Sequence, residues 1–210
     1  MQTIRPSADL VRSTGIFQRP EKDSTGALQT IYHTRAGSAP AFVGGSTANA
    51  ILGAASPVSG TFVESAPKPL GAVISVETGN PSPTPPNTYN HIMSFWATKS
   101  AATGLIAITM ELRQGLSNET DDLGTFIARL EASDVTTTET KYRKRLTLAE
   151  AALITDYTDL QFRFTMRGYG GVQTARILQA ELQLPSDEST KHAALTQSEI
   201  EQTQRGVPLT

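Results

Sequence analysis

The chain of 210 residues contains no cysteine. This absence excludes disulfide bonds, thiolate zinc sites and a cysteine nucleophile, and it leaves the redox compartment open. Aromatic residues make up only 6 %, with a single tryptophan, and the formal net charge is −2. A chain with this charge has no overall basic field that would attract nucleic acid.

Long hydrophobic runs are missing as well. No run approaches the roughly 18 apolar residues that span a bilayer. The first residues, MQTIRPSADLVRST, carry charges where a signal peptide has its apolar region. We therefore expect a soluble chain with no signal peptide and no membrane partner.

The first 90 residues are dense in Gly, Pro, Ser, Thr and Ala. This composition disfavours long helices and predicts short strands joined by turns. The strands expected here are residues 42–43, 51–52, 61–63 and 73–76.

After residue 90 the pattern changes to alternating apolar and polar residues, which is typical of half-buried strands. The six expected strands lie in residues 91–99, 104–115, 123–132, 136–148, 160–167 and 174–185. The side chains expected to face the core are Ile106, Ile108, Met110, Leu112, Phe126, Ala128, Leu130, Tyr142, Leu146, Leu160, Phe162, Phe164, Met166, Leu178, Ala180, Leu182 and Leu184. Those expected to face outward include Gln161, Arg163, Thr165 and Arg167.

A single short helix is expected from Thr147 to Ile154. Thr147 can cap it while Glu150, three residues later, reaches back in a capping box. The other residues are almost all apolar, so we expect the helix to be buried.

These elements predict an all-β fold, an antiparallel β-sandwich of jelly-roll-like type with one short helix and extended N- and C-terminal arms. Residues 1–20 form the N-terminal arm or first strand, residues 21–185 the sandwich, and residues 186–210 the C-terminal arm. The last segment holds only four large aliphatic residues, Leu195, Ile200, Val207 and Leu209. It cannot fold alone, and we expect these residues to order against a neighbouring protein.

Three groups of residues invite chemical hypotheses. Glu150, Asp156 and Asp159 suggest a hydrolase or calcium site, although capping and turn formation account for each of them. The histidines, His33, His91 and His192, lack the spacing of metal ligands. We expect no catalytic residues, no metal and no cofactor.

The segment KYRKR is the only basic cluster. In a strand, Lys141, Arg143 and Arg145 share one face, and we expect Arg129, Arg163 and Arg167 to extend that face across neighbouring strands. One interpretation is a solvated face balanced by glutamates. The other is a docking patch for an acidic partner surface.

Several segments together resemble a β-sandwich module of virion proteins in tailed bacteriophages. They are IRPSADLVRSTGIFQ near the start, ITMELRQG, LTLAEAALITDYTDLQFRF and RILQAELQLP. The resemblance covers residues 1–18 and 90–185 and implies a structural or adhesive role, with no catalytic residues.

The resemblance leads us to expect a non-enzymatic virion protein made in the host cytoplasm. Our first choice is a capsid decoration or cement protein that binds the major capsid protein, as a homo-oligomer for which a trimer is one option. The alternatives are a collar or tail-fibre component that contacts neck or tail proteins, a carbohydrate-binding receptor-binding module, and a hydrolase. Carbohydrate binding would be favoured if Tyr89, Trp96, Tyr157 and Tyr169 clustered on one exposed face.

We predict that deletion of residues 186–210 abolishes binding to phage particles while the sandwich stays folded, because the arm supplies the apolar anchors. Co-sedimentation with particles measures the first effect and circular dichroism the second. Normal binding by the truncated protein would contradict the arm hypothesis.

Overall fold

The computed structural model describes residues 2–9, 18–22, 28–32, 41–43, 47–65, 69–79, 90–115, 124–170 and 172–185. The strands are β1 (Gln2–Ile4), β2 (Pro6–Asp9), β3 (Gln18–Lys22), β4 (Leu28–Tyr32), β5 (Ala41–Val43), β6 (Phe62–Glu64), β7 (Leu70–Thr78), β8 (Ile92–Lys99), β9 (Leu105–Gln114), β10 (Thr125–Ala132), β11 (Thr140–Arg145), β12 (Leu160–Tyr169) and β13 (Ala175–Leu184). The helices are α1 (Ala48–Leu52) and α2 (Leu148–Ala152), and a 3-10 turn follows at Tyr157–Asp159. No helix in this part of the chain is long and apolar enough to cross a membrane.

The strands form two main sheets. Sheet A has the order β11-β8-β13-β6-β5, with β1 also paired to β13, and sheet B has the order β10-β9-β12-β7-β2. Strands β3 and β4 form a separate hairpin. Every pair in the described ranges is antiparallel, and the chain crosses repeatedly from one sheet to the other. The predicted antiparallel, jelly-roll-like β-sandwich is confirmed.

The core lies between the two sheets and is built from their inward-facing apolar side chains. Phe95 of β8 and Phe164 of β12 meet edge to face across it, with ring centroids 5.8 Å apart. Tyr142 of β11 stacks on Phe95 at 5.3 Å. Full burial of one such side chain stabilises the fold by roughly 1.5–3 kcal/mol, so these contacts decide which face of each strand points inward.

The six strands expected after residue 90 are all present. Of the expected strands nearer the start, those at 42–43, 61–63 and 73–76 correspond to β5, β6 and β7. The expectation of a strand at 51–52 and of a single helix is wrong, because these residues end α1. Thr47 caps α1 by accepting a hydrogen bond from Ala50, and Ile51 and Leu52 pack into the core.

The expected capping box of α2 is confirmed, with both the Thr147 and the Glu150 hydrogen bonds present. The expectation that the whole helix is buried is wrong. Ala151 and Ile154 are buried, whereas Leu148 and Leu153 are 55 % and 47 % exposed.

One expectation about the faces of strands in sheet B is also wrong. The pairing of β10 with β9 shifts register between Phe126 and Ala128, which leaves Phe126 exposed and buries both Ile127 and Ala128. A β-bulge of this kind breaks strict alternation. Gln161 and Arg163 lie on the outer side of β12 as expected, yet both are buried.

The predicted N-terminal arm or first strand begins as two short strands that join the two sheets. β1 pairs with β13 of sheet A, and β2 pairs with β7 of sheet B, so the chain changes sheets at Arg5. The predicted C-terminal arm, residues 186–210, lies outside the described residues.

Gly104 has a positive φ of 75°, and a Cβ at this position would overlap the Gly170 carbonyl oxygen and the Gln173 side chain. Gly60 has a φ of 80° with open space around it. We predict that Gly60→Ala lowers the free energy of unfolding by about 1–2 kcal/mol, the cost of the left-handed conformation. Gly104→Ala should lose roughly 1–3 kcal/mol more from overpacking. Urea denaturation measures the free energy of unfolding of both variants. Equal losses in the two variants would contradict the close approach of Gly104 to Gly170 and Gln173.

Candidate functional site

The six cations expected to share one face are divided between the two sheets. Lys141, Arg143 and Arg145 lie on the outer side of β11, because Tyr142 faces the core between them. β11 is the edge strand of sheet A and pairs only with β8. The expected continuous face is therefore wrong, since β10 and β12, which carry the other three cations, belong to sheet B.

In sheet B, Arg129 and Arg163 flank Glu111 from the two strands beside β9. Their guanidinium groups lie 2.9 Å and 3.3 Å from its carboxylate, and Arg113 donates a third bond at 2.8 Å. Burial alone would raise the pKa of Glu111, but the hydrogen bonds and positive charges of these arginines outweigh it and hold that pKa below its usual value. Arg129 and Arg163 thus take part in a structural network. Arg167 is half-buried near the end of β12.

The three acidic residues near α2 have structural partners. Glu150 completes the cap and bonds Lys144. Asp156 accepts from the Thr158 backbone at 2.8 Å, an Asx-type turn, and the hydrogen bonds of Thr158 lower its pKa. Asp159 instead accepts from the Gln161 side chain.

Of the histidines, only His91 lies in the described ranges. It is fully buried, and its Nε2 lies 2.8 Å from the Tyr157 hydroxyl. Within these ranges no three His, Asp or Glu side chains come together as a metal site would require.

Of the four aromatic residues whose clustering would have favoured carbohydrate binding, the three that the structure describes do not lie together. Tyr157 stacks on His91, while Tyr169 is exposed at the end of β12 in sheet B. Trp96 lies on the outer side of sheet A and is half-buried. Tyr89 lies outside the described residues, as do Leu195, Ile200, Val207 and Leu209.

The surroundings of Trp96 form a second polar network, on the outer side of sheet A. Because Met93, Phe95 and Ala97 face the core, Ser94 and Trp96 face outward. The strand register places Lys141 and Gln179 on either side of Trp96, and Arg143 and Glu181 on either side of Ser94. We name this surface the Trp96 face; it comprises Ser94, Trp96, Lys141, Arg143, Arg145, Gln179, Glu181 and Gln183.

Glu181 is the centre of the hydrogen bonding on the Trp96 face. Its Oε1 accepts from Lys141 at 2.7 Å, Gln183 at 3.0 Å and Ser94 at 3.2 Å. Arg5 lies 3.6 Å from its other oxygen. Burial works to raise the pKa of Glu181, but the Lys141 ammonium and the neutral donors prevail and lower it. The carboxylate is therefore ionised at neutral pH and acts as a fixed acceptor.

The loop between α1 and β6 borders the Trp96 face. Its Ala54 carbonyl accepts from Gln179 at 2.8 Å, and its Ser59 hydroxyl donates to Glu139, just before β11, at 3.1 Å. On the neighbouring surface Arg176 bonds Glu64 and lies over the Phe62 ring, 4.5 Å from its centroid. The face is thus bounded by fixed polar groups at the end where Trp96 lies.

Sequence reasoning missed Ser94, Gln179, Glu181 and Gln183 as site residues. The alternation in LQAELQL does place the Gln and Glu residues opposite the inward Ala180 and Leu182. What the sequence does not show is that β13 pairs with β8, which brings them beside Trp96.

No protein-family model and no curated protein matches the chain. Among solved structures, the family 30 carbohydrate-binding module of a Clostridium thermocellum cellulosomal cellulase has a TM-score of 0.42 and 11 % identity, covering 89 % of this chain and 100 % of that one. An arabinose-bound α-L-arabinofuranosidase (MgGH51) has a TM-score of 0.42 and 15 % identity, covering 87 % of this chain and 27 % of that one. A xylan-binding module, CBM15, has a TM-score of 0.38 and 11 % identity, covering 64 % and 87 %. Similarity at this level carries no argument about ligand or role.

We predict that Glu181→Gln lowers the free energy of unfolding at pH 7 by roughly 1–3 kcal/mol, because the charged hydrogen bonds of the carboxylate are lost. A carboxylate whose folded pKa lies below its unfolded pKa stabilises the fold above the unfolded value. That contribution disappears as the pH falls below the usual glutamate pKa and through the lower folded pKa. Stability curves of wild type and variant should therefore converge over this range.

The matched control is Glu131→Gln, at an exposed position on β10 of the other sheet. It should change the free energy of unfolding by less than about 0.5 kcal/mol. A constant difference between Glu181→Gln and wild type at every pH would contradict the role given to the Glu181 charge.

Proposed function

We propose that this chain is a non-catalytic binding module and that its ligand is a glycan held on the Trp96 face. The observation that carries the proposal is the position of Trp96, whose ring lies on a sheet surface between ordered hydrogen-bonding side chains. Sugar rings present apolar faces and polar edges. A site for them needs an aromatic surface with donors and acceptors fixed around it.

The Trp96 face supplies both kinds of group. Trp96 offers an apolar ring, and the exposed Lys141 offers a donor that Glu181 holds at 2.7 Å. Gln183, which is half-buried, adds an amide group that can both donate and accept. Each of these residues sits on a strand interior, where the backbone ladder fixes its position.

Preorganisation favours binding at this surface. Glu181 holds the Lys141 ammonium and the Gln183 amide by hydrogen bonds, so these two side chains have less freedom to lose on binding. Ordering a free side chain costs roughly 0.5–1.5 kcal/mol on association, and a surface that is already ordered avoids that cost.

The ionisation of Glu181 fits binding better than hydrolysis. A glycosidase needs one carboxyl group with a raised pKa to protonate the leaving group. Glu181 has a lowered pKa and two cations beside it. It is therefore suited to hold Lys141 and Gln183 in place beside Trp96, and it is not suited to protonate a leaving group.

The proposal corresponds to the receptor-binding alternative within the resemblance to phage virion modules. Location in a virion stays a prediction. The capsid-decoration role also stays a prediction, because it depends on a C-terminal arm that lies outside the described residues.

We predict that the protein binds one or more polysaccharides in affinity electrophoresis and that Trp96→Ala weakens this binding about 30-fold. Truncation of a central Trp at an interface costs roughly 2 kcal/mol, which corresponds to that factor.

The matched control is Tyr169→Ala, which removes an aromatic ring that is 55 % exposed in the other sheet. It should bind as the wild type does. No binding by the wild type to any glycan of a broad panel, or equal losses in the two variants, would contradict the proposed function.

A further inference from the structure

Two cations of the Trp96 face have no partner among the described residues. Arg143 and Arg145 are exposed on β11, and no hydrogen bond or ion pair in the described ranges involves either side chain. The other two cations of the same strand are paired, Lys141 with Glu181 and Lys144 with Glu150. The strand therefore presents two guanidinium groups whose charge is not neutralised by a described carboxylate.

Arg143 and Arg145 form a row along one side of the Trp96 face. In the strand register Arg143 lies opposite Ser94 and Arg145 opposite Ile92, and both continue the line that starts with Lys141 opposite Trp96. Alternate residues of a strand are about 7 Å apart, so the row extends along the sheet away from the tryptophan ring.

At the edge of the Trp96 face the Glu139 carboxylate accepts from the Ser59 hydroxyl, and two further carboxylates beside the face are paired with cations. Glu181 lies between Lys141 and Arg5, and Glu64 bonds Arg176. The cations near Trp96 thus outnumber the carboxylates beside them, although the whole chain carries a net charge of −2. A local excess of positive charge next to a stacking surface selects an anionic ligand.

Resting on the proposed function, we infer that the glycan bound by the Trp96 face is acidic, a polysaccharide bearing uronate carboxylates or sulfate groups. Its anionic groups lie along the row of Arg143 and Arg145 while a sugar ring packs on Trp96. Guanidinium suits this role because its planar fork of donors matches a carboxylate or sulfate in two parallel hydrogen bonds.

A second use of the same arginines makes a different prediction. β11 is an edge strand, and charged side chains on edge strands discourage pairing with other chains. If Arg143 and Arg145 served that purpose alone, their replacement would promote self-association and leave selectivity among glycans unchanged.

The test compares polymers that differ only in charge. Polygalacturonate is compared with its methyl ester, and dextran sulfate with dextran, by affinity electrophoresis and isothermal titration calorimetry. We expect the wild type to bind at least one acidic polymer about tenfold or more tightly than its neutral counterpart. That preference should shrink as salt rises from about 0.05 M to about 0.5 M, because exposed charges are screened.

The Arg143→Gln, Arg145→Gln double variant should lose about tenfold in affinity for the acidic polymer and nothing for the neutral one. The control Arg129→Gln removes one positive charge, as each of the single variants Arg143→Gln and Arg145→Gln does, at an exposed arginine of sheet B, and it should keep wild-type selectivity. Sedimentation velocity reports any self-association of the variants.

The outcomes separate the inference from the function on which it rests. Equal binding of acidic and neutral polymers, with dependence on Trp96, would overturn the acidic ligand and keep the glycan-binding proposal. An equal loss of selectivity in the Arg129 control would overturn the role given to the row of Arg143 and Arg145, since the net charge of the protein alone would then explain the preference for the acidic polymer. Failure of the wild type to bind any acidic or neutral polymer would overturn both.

Discussion

The contact of Phe95 with Phe164 across the core is the constraint on which the outer surfaces depend. Side chains of a strand alternate strictly between two faces, so burying Phe95 sends Ser94 and Trp96 outward. A shift of the strand register by one residue would turn the core-facing side chains outward and the outward side chains into the core. Each buried large side chain contributes roughly 1.5–3 kcal/mol, whereas an exposed ion pair contributes about 0–1 kcal/mol. The apolar faces therefore set the register, and the polar groups take the positions that remain.

The two sheets use those outward positions differently. On sheet B, Glu111 draws Arg113, Arg129 and Arg163 into one network. On sheet A, Glu181 engages Lys141 and Arg5, but Arg143 and Arg145 continue past it. The edge strand β11 thus carries cations beside a tryptophan, while these three arginines of sheet B bond a carboxylate of their own sheet. This difference separates a stabilising surface from a candidate binding surface.

Local pattern was enough to predict the strands after residue 90 and the capped α2. Strict alternation correctly assigned Ile106, Ile108, Phe162 and Phe164 to the core. Alternation failed at Phe126, because a β-bulge arises in the pairing of two strands and cannot be recognised from the sequence of one strand. The prediction also failed at residues 51–52. Ile51 and Leu52 are the buried end of α1, and two adjacent apolar residues look the same in the sequence whether they belong to a short helix or to a short strand.

The part of the candidate site that could not be predicted from the sequence is the pairing of its strands. The basic residues were recognised, but their neighbours were not, because β11 pairs with β8 from over 40 residues earlier in the chain. Long-range pairing of this kind depends on the whole core and cannot be inferred from the residues of either strand. The same pairing brings Gln179 and Glu181 beside Trp96.

Trp96 is the only tryptophan of the chain, so its fluorescence reports on this face alone. The most direct measurement is quenching of that fluorescence by acrylamide, with and without a saturating glycan that the protein binds. If the glycan packs on Trp96, bound protein will be quenched less than free protein, with a midpoint that matches the calorimetric Kd. Unchanged quenching at saturation would place the ligand elsewhere and contradict the account.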